Sequence, residues 1–302
     1  MPIKEVSYGG WSRNLRLAND SVELIVSLEV GPRILSYRPL EGKNMLHNYP
    51  TQMGKTGENE WMNRGGHRLW IAPEDPILSY ALDNQTYPFE ICGESSIRLT
   101  NTGDSARAIR KEIHLELAIT GSDVRLTHTL TNESAISHPV APWALSVMAP
   151  GGISILPQPT PGQHPQDLLP DRVLVLWPYS DTSDPRFKVG KHFITLRQET
   201  TGSAFKYGLA HRGKWAAYLL GDQLFIKTVA FIAGANYPDF GCNYESFTNE
   251  DMLEIETIGP LVNLAPGETI SHLENWRIFE GINPPSYSDS AAFADWIKPY
   301  LP

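Results

Sequence analysis

The stretch "MLEIETIGP" at residues 252–260 carries two glutamates, Glu254 and Glu256, separated by a single residue. Because side chains alternate between the two faces of a β-strand, a strand here places both carboxylates on one face, about 7 Å apart. Two carboxylates at this separation raise each other's pKa where water is excluded, which suits a general base working near neutral pH. The same alternation is typical of the solvent-exposed face of an edge strand, so the spacing alone leaves both interpretations open.

A second group of polar and aromatic residues lies in "NYPDFGCNYESF" at residues 236–247, where Asp239 and Asn243 stand among tyrosines. Tyrosine rings can stack on the C–H faces of sugars, and carboxylates and amides pair with hydroxyl groups. This composition favours a sugar-binding loop. A surface loop stiffened by Asx turns has the same composition and is the alternative interpretation.

A third candidate is "RGGHRLW" at residues 64–70, whose two glycines would leave room for a ligand. His67 supplies a titratable ring and Arg68 a planar cationic donor. Trp70 offers a flat apolar face, as does Trp143 farther along the chain, and polar or turn residues flank both. In a regular strand His67 and Arg68 point to opposite faces, so we expect at least one of them to be structural.

Alternating apolar residues and frequent chain breakers predict the elements that position these side chains. Glycine and proline each number 24, which leaves little room for long helices. The strand patterns lie at residues 15–38, 85–130 (with a turn, "NTGDS", at 101–105), 144–148 and 193–280. Only "SAAFADWIKPYL" at 290–301 has a helical pattern. The sequence therefore predicts an all-β fold, a single domain over residues 1–302 with large antiparallel sheets stacked face to face and a short C-terminal helix.

The charge and hydropathy of the chain exclude several classes of partner. The 302 residues carry a formal charge of −9, and no basic run interrupts this balance, so we expect neither nucleic acid nor an anionic membrane as a partner. No apolar stretch approaches the roughly 18 residues that span a bilayer. The N-terminus lacks the apolar core of a secretion signal, and we expect a cytoplasmic protein. The oligomeric state stays open.

Motifs for cofactors and metals are missing from the sequence. It contains no nucleophile elbow, phosphate loop, dinucleotide-binding fingerprint or zinc-protease motif. Cys92 and Cys242 are the only cysteines; we expect two buried thiols rather than a bridge, and they form no zinc pattern. The nine histidines have no helical ligand spacing. We therefore expect no cofactor and no metal.

Several segments resemble the galactose mutarotase (aldose 1-epimerase) superfamily, and the pattern is closest to a poorly characterised branch of it. "IETIGP" followed by "LAPGET" resembles the superfamily's catalytic glutamate strand and the turn that precedes its last strand. "LEVGPRILSYR" resembles its early strand pair, and "LTHTLTNES" with "HPVAPWALSV" resembles its central strand. "RGGHRLW" falls near the superfamily's sugar-binding Arg, Asn and His residues. Order and spacing agree over roughly residues 15–280.

The resemblance implies a β-supersandwich in which a concave sheet face holds a sugar and the glutamates of "LEIET" face the cleft. It also implies Glu256 as the catalytic base. The mutarotases place their acid, a histidine, after the central strand motif, where this chain reads "APWALSVM" with Trp143 near the position. Lys206 in "FKYGLA" stands about where the mutarotases have a carboxylate that grips the sugar.

We therefore expect an aldose 1-epimerase-like enzyme that acts on a sugar or sugar acid, with Glu256 as base and His67, by our own inference, as acid. A mono- or oligosaccharide would contact Arg68, Trp70, Trp143, Lys206, Asp239, Asn243 and Glu254. Two alternatives stay open because one fold hosts many functions. The first is a sugar-binding or sensing protein without catalysis, which the missing acid histidine favours; the second is a polysaccharide lyase or glycoside hydrolase.

Overall fold

The computed structural model describes residues 3–101 and 108–301, and its regular structure is almost entirely β-strand. The strands are β1 Lys4–Tyr8, β2 Trp11–Ala18, β3 Val22–Ser27, β4 Arg33–Pro39, β5 His67–Ala72, β6 Phe89–Gly93, β7 Ser96–Asn101, β8 Ile109–Leu117, β9 Val124–Asn132, β10 His138–Met148, β11 Ile153–Pro157, β12 Leu174–Leu176, β13 Phe187–Val189, β14 Phe193–Arg197, β15 Phe205–Leu209, β16 Trp215–Leu220, β17 Gln223–Val229, β18 Tyr244–Thr248, β19 Leu253–Ile258, β20 Val262–Leu264 and β21 Thr269–Phe279. A helical turn, α1 Pro238–Gly241, precedes β18, and a helix, α2 Ser290–Ile297, lies near the C-terminus.

The described strands form two large antiparallel sheets. The first has the order β1-β2-β3-β4-β5-β10-β19-β18-β15-β12, with β20 also paired to β10. The second has the order β13-β14-β11-β16-β17-β21-β9-β8-β7-β6. Neighbouring strands in the centre of the first sheet come from distant parts of the chain, so residues far apart in sequence meet on one sheet face.

The pattern of burial shows which strands are covered on one face and which on both. In β8, buried residues such as Ile113 and Leu115 alternate with more exposed ones, as expected where one sheet face packs on the core. In β5 and β19 every residue is buried. These two strands pack one face against the second sheet, and their other face is covered by connecting segments. The centre of the first sheet is therefore the place where side chains can be held away from water.

The prediction of an all-β fold with large stacked sheets and a short C-terminal helix is confirmed. In α2, the side chain of Asp289 caps the N-terminus by accepting from Ala292 N, and Phe293 and Ile297 are buried against the second sheet. Most of the predicted "NTGDS" turn falls in residues 102–107, outside the described residues. In the part of the chain that the structure describes, no helix has the length and apolarity needed to cross a membrane.

The prediction of two buried thiols is wrong for one of them. Cys242 is buried, but Cys92 is exposed, and both are free thiols. Cys92 lies on β6, an edge strand whose residues are all exposed, so nothing packs over its side chain.

Candidate functional site

A cleft of about 200 Å³ opens on the face of the first sheet that points away from the second sheet. Strands β5, β10, β15, β18 and β19 supply its floor, and connecting segments supply its walls. The cleft is lined by Trp61, Asn63, Arg68, Trp70, Glu74, Tyr80, Trp143, Leu145, Tyr179, Lys206, Phe247, Met252, Glu254 and Glu256.

Strand register brings the charged groups of the cleft onto one face. Leu145 of β10 lies opposite Glu256 of β19 on one side and opposite Arg68 of β5 on the other. Glu256 in turn lies opposite Glu245 of β18. Residues directly opposite each other share a sheet face, so these side chains point the same way. Both glutamates of "LEIET" line the cleft, while Ile255 between them packs in the core.

Glu256 lies at the floor of the cleft with no exposed surface. Its Oε2 accepts hydrogen bonds from Trp143 Nε1 at 2.9 Å and from Lys206 Nζ at 3.3 Å. No group in residues 3–101 and 108–301 hydrogen-bonds to Oε1, so this oxygen has no partner among the described residues. Burial raises the pKa of Glu256 to about 7, although the Lys206 ammonium opposes the rise. A carboxyl with this pKa exchanges protons readily at neutral pH.

Lys206 reaches the cleft from β15 and lies between two carboxylates and two indole rings. Its Nζ is 2.7 Å from Glu245 Oε2 and 3.3 Å from Glu256 Oε2. The same nitrogen is 4.6 Å from the ring centroids of both Trp143 and Trp177. Burial alone would lower the pKa of Lys206, but the two carboxylates outweigh it and raise that pKa above its ordinary value. Lys206 is therefore an ammonium group held by charge and by aromatic faces.

Arg68 occupies the opposite side of the cleft. Its Nη2 donates to Glu254 Oε1 over 2.9 Å, and its guanidinium lies 4.3 Å from the Trp70 ring centroid and 5.3 Å from that of Trp61. The Trp70 and Trp143 rings meet edge to face, with centroids 5.4 Å apart. Cations and aromatic faces thus alternate around the cleft, and the indoles offer flat surfaces of the kind that stack on sugar rings.

His67 does not line the cleft. Strand alternation turns Arg68 toward the cleft and His67 toward the second sheet, where the imidazole has no exposed surface. Its Nδ1 lies 2.8 Å from Ser146 Oγ and its Nε2 lies 2.7 Å from His128 Nε2. Burial holds the pKa of His67 well below its ordinary value, so the ring is neutral. The expected acid role of His67 is therefore corrected, because its ring cannot reach a ligand in the cleft.

His67, His128 and Glu274 each offer a metal-ligating atom, and these atoms lie within 4.8 Å of one another. All three already take part in a closed hydrogen-bond network. An ammonium only donates, so Ser146 Oγ accepts from Lys227 Nζ at 2.9 Å and donates to His67, which then donates to His128. Lys227 Nζ also lies 3.0 Å from Glu274 Oε1. The ammonium supplies the positive charge that a metal would bring, and the residues fit this network better than a metal ion.

Comparisons with known proteins identify the fold. No family model and no curated protein sequence matches this chain. Among solved structures, a galactose mutarotase-like protein from Lactobacillus casei ATCC 334 matches with a TM-score of 0.60 and 10% identity, over 88% of this chain and 100% of that one. One from Clostridium acetobutylicum has a TM-score of 0.58 and 12% identity over 92% and 98%. A galactose mutarotase related enzyme from Lactobacillus acidophilus has a TM-score of 0.51 and 9% identity over 89% and 98%.

The chain has the galactose mutarotase-like fold. The resemblance found in the sequence is thus supported by structures that share little sequence with this chain. At such identities the likeness concerns the fold, and the side chains of the cleft determine the activity.

Within this galactose mutarotase-like fold, the glycines of "RGGHRLW" serve backbone packing and do not make room for a ligand. Gly65 has a φ of +79° and Gly66 of +75°. A Cβ on Gly65 would lie 2.0 Å from the carbonyl oxygen of His47, and one on Gly66 would lie 2.4 Å from that of Ile34. Only glycine permits both the left-handed backbone and this close approach. The two glycines therefore determine where β5 begins, and this sets the position of Arg68 on the strand.

A buried arginine ties one wall of the cleft to the sheet. Arg33 Nη1 donates to the carbonyl oxygen of Asn63 at 2.7 Å, and Arg33 Nη2 pairs with Asp83 Oδ2 at 2.6 Å. Asn63 and the nearby Trp61 line the cleft. The segment between β4 and β5 that carries Trp61 and Asn63 is thereby held in one position.

Besides His67, two other predicted site residues do not reach the cleft. Asn243 is fully buried, and its side chain accepts from His211 N at 2.5 Å and donates to His211 O at 3.0 Å, which braces the chain before β18. Asp239 lies in α1 and is absent from the cleft lining. By contrast, Arg68, Trp70, Trp143, Lys206, Glu254 and Glu256 all line the cleft.

Several residues of the cleft lie in connecting segments, where the strand patterns of the sequence do not predict a position for them. Glu74 and Tyr80 lie in "PEDPILSY" at 73–80, and Tyr179 lies in "WPYS" at 177–180. Their one sequence signal is the grouping of acidic and aromatic residues with proline. Burial raises the pKa of Tyr179 to about 12, so its phenol is protonated at neutral pH and can donate a hydrogen bond.

Proposed function

We propose that this protein binds an aldose in the cleft and interconverts its anomers, with Glu256 as the general base. The observation that carries the proposal is Glu256 itself: a fully buried carboxyl on the cleft floor with one unpaired oxygen and a pKa of about 7. A cleft of about 200 Å³ suits a single sugar ring better than a polysaccharide chain. The galactose mutarotase-like fold supports a carbohydrate ligand.

Anomer exchange requires the sugar ring to open and close again. Glu256 accepts the proton of the anomeric hydroxyl, and the electron pair of that O–H bond forms the carbonyl at C1. The bond between C1 and the ring oxygen breaks, and its electron pair goes to the ring oxygen, which takes a proton from a donor. After rotation about the adjacent C–C bond, the reverse steps close the ring on the other face of the carbonyl.

Lys206 is the donor that the geometry favours for the ring oxygen. While Glu256 is ionised, the ammonium is stabilised by that carboxylate 3.3 Å away. When Glu256 takes up the anomeric proton, this stabilisation is lost, and a buried ammonium with less counter-charge becomes a stronger acid. Proton uptake by the base thus promotes proton release by Lys206.

The remaining side chains of the cleft would orient the sugar. Glu254 and Arg68 hold each other in place and present polar edges to hydroxyl groups. Trp70 and Trp143 offer faces for the apolar side of the ring. Such positioning would hold the anomeric hydroxyl against Glu256 and the ring oxygen against Lys206.

Exchange NMR between the α and β signals of equilibrated aldoses tests the proposal, since the spontaneous rate serves as baseline. We expect the protein to accelerate exchange for at least one aldose, and Glu256→Gln to lose about 10²–10⁴-fold of the catalysed rate. Glu41→Gln, an exposed site outside the cleft, is the matched control. Absence of acceleration across a panel of neutral, acidic and phosphorylated aldoses would contradict the proposal.

A second candidate is a sugar-binding protein without turnover. It is favoured by one observation: among the described residues that line the cleft there is no histidine. It predicts saturation-transfer signals from a bound sugar, no acceleration of exchange, and only modest weakening of binding in Glu256→Gln.

A further inference from the structure

Glu245 and Glu256 face each other on neighbouring strands and share one lysine. The two residues are direct partners in the pairing of β18 with β19, and neither has exposed surface. Lys206 Nζ lies 2.7 Å from Glu245 and 3.3 Å from Glu256. Apart from Lys206, no group in the described residues hydrogen-bonds to either oxygen of Glu245.

Among the described residues, no second cation pairs with either glutamate. Arg68 also lines the cleft, but it is paired with Glu254 at 2.9 Å. Lys227, behind the sheet, is paired with Glu274 at 3.0 Å. Among the described residues, the charged or titratable groups that act on the pair from the packed elements are Arg68, Glu74, Tyr179, Lys206, Lys227, Asp239, Cys242, Tyr244 and Glu254.

Two ionised carboxylates on one ammonium would leave an uncompensated negative charge on side chains that have no exposed surface. Burial of an unpaired charge is strongly unfavourable, and a carboxyl responds by keeping its proton. Burial raises the pKa of Glu245 well above its ordinary value; Lys206 opposes the rise, and Glu256 adds to it. Glu256 keeps a hydrogen bond from Trp143 that Glu245 lacks, which stabilises the ionised form of Glu256 in particular.

We propose that Glu245 holds a proton in the resting protein and thereby reserves the Lys206 ammonium for Glu256. Glu245 is then a positioning residue, because it acts through Lys206 and is absent from the cleft lining. The effect of this protonation on catalysis rests on the proposed function. With Glu245 neutral, Glu256 is the one ionised carboxylate in direct contact with Lys206 among the described residues, so protonation of Glu256 has the largest effect on the acidity of Lys206.

The proposal is tested by ¹³C NMR of protein labelled at the glutamate carboxyl carbon, without any sugar. We expect one carboxyl signal to titrate above pH 7, to be missing from Glu245→Gln, and to persist in the exposed-site control Glu250→Gln. Absence of any glutamate transition above pH 7 in the unmodified protein would overturn the proposal, and this result needs no variant to fold. It would also be overturned if the signal missing from Glu245→Gln titrates near pH 4.

The indole N–H of Trp143 gives an independent readout because it donates to Glu256. Glutamine mimics a protonated glutamate, so Glu245→Gln should leave the pH midpoint of this ¹⁵N–¹H signal near its value in the unmodified protein. A fall of more than one pH unit would mean that Glu245 is ionised at rest and would overturn the proposal.

The pH profile of anomer exchange connects the pair to catalysis. In the unmodified protein we expect kcat/KM to fall at alkaline pH as Glu245 ionises and competes for Lys206. In Glu245→Gln this alkaline fall should move up by at least one pH unit, and an unchanged limb would overturn the catalytic role. If no sugar is turned over while both NMR results hold, the proposed function fails and the shared-lysine arrangement stands.

Discussion

Arg68 reaches across β10 to Glu254, and its Nη2 lies 2.9 Å from Oε1 of a carboxylate that is 186 residues away in sequence. Both side chains are nearly buried, with 3% and 8% of their surface exposed. The pair fixes the guanidinium over Trp70 and closes one side of the cleft. Loss of either partner leaves the other charge in a place with little water.

We predict that Arg68→Met lowers the free energy of unfolding by about 3–5 kcal/mol, because Glu254 is left as an unpaired buried charge. The double variant Arg68→Met/Glu254→Gln should recover part of this loss, since it removes both charges. Urea unfolding of the two single variants and the double variant measures the coupling. Strictly additive effects would show that the pair contributes nothing to stability.

We predict that Trp143→Phe raises the pKa of Glu256, because the substitution removes the indole N–H that stabilises the ionised carboxylate at 2.9 Å. A hydrogen bond to a charged group is worth about 1.5–3 kcal/mol, which corresponds to a rise of about one pH unit or more. The acid limb of kcat/KM for anomer exchange should move up by this amount. The carboxyl ¹³C signal of Glu256 gives the same quantity without a sugar.

Trp61→Phe is the matched control, since Trp61 lines the same cleft but its indole N–H has no hydrogen-bond partner among the described residues. An equal shift in both variants would assign the effect to ring size and would contradict the role of the Trp143 hydrogen bond.

We predict that the protein loses stability in acid partly through its buried histidines. Burial lowers the pKa of His272 from 6.5 to about 3; Glu274 opposes this shift, while His128 and Lys227 add to it. Between about pH 6.5 and pH 3, His272 is therefore protonated in the unfolded chain but not in the folded chain. The free energy of unfolding decreases as the pH is lowered through this range.

His272→Gln should remove this contribution. The slope of unfolding free energy against pH should become smaller by about 1.4 kcal/mol per pH unit in that window, with no difference above it. The exposed His164→Gln is the control. Parallel pH profiles for His272→Gln and the unmodified protein would contradict the prediction.

We predict that Gly66→Ala destabilises the protein more than Gly121→Ala does. Both glycines have a similar φ, +75° and +72°, so both substitutions carry the cost of the left-handed region, about 1–2 kcal/mol. A Cβ at Gly66 would also lie 2.4 Å from Ile34 O, whereas nothing lies within 4 Å of one at Gly121. Thermal unfolding of the two variants measures the additional cost of the contact with Ile34 O. Equal losses of stability would contradict the prediction and show that β4 can shift to accommodate the added Cβ without strain.

Strand alternation made the facing of individual side chains predictable. It placed Glu254 and Glu256 on one face and Ile255 on the other, and it required His67 and Arg68 to diverge. Alternation does not say which face of a strand lines a cleft and which packs in the core, so it cannot predict that His67 is the buried member of the two.

Sequence alone determined the fold class, because apolar alternation and turn residues are local properties that any strand must satisfy. It also determined that two glutamates share a face. Only the tertiary structure decided that Glu245 joins them and that Lys206 lies between the two carboxylates, since β15, β18 and β19 become neighbours through pairing that no local pattern encodes. The burial that gives Glu256 a pKa of about 7 likewise comes from groups distant in sequence that together exclude water.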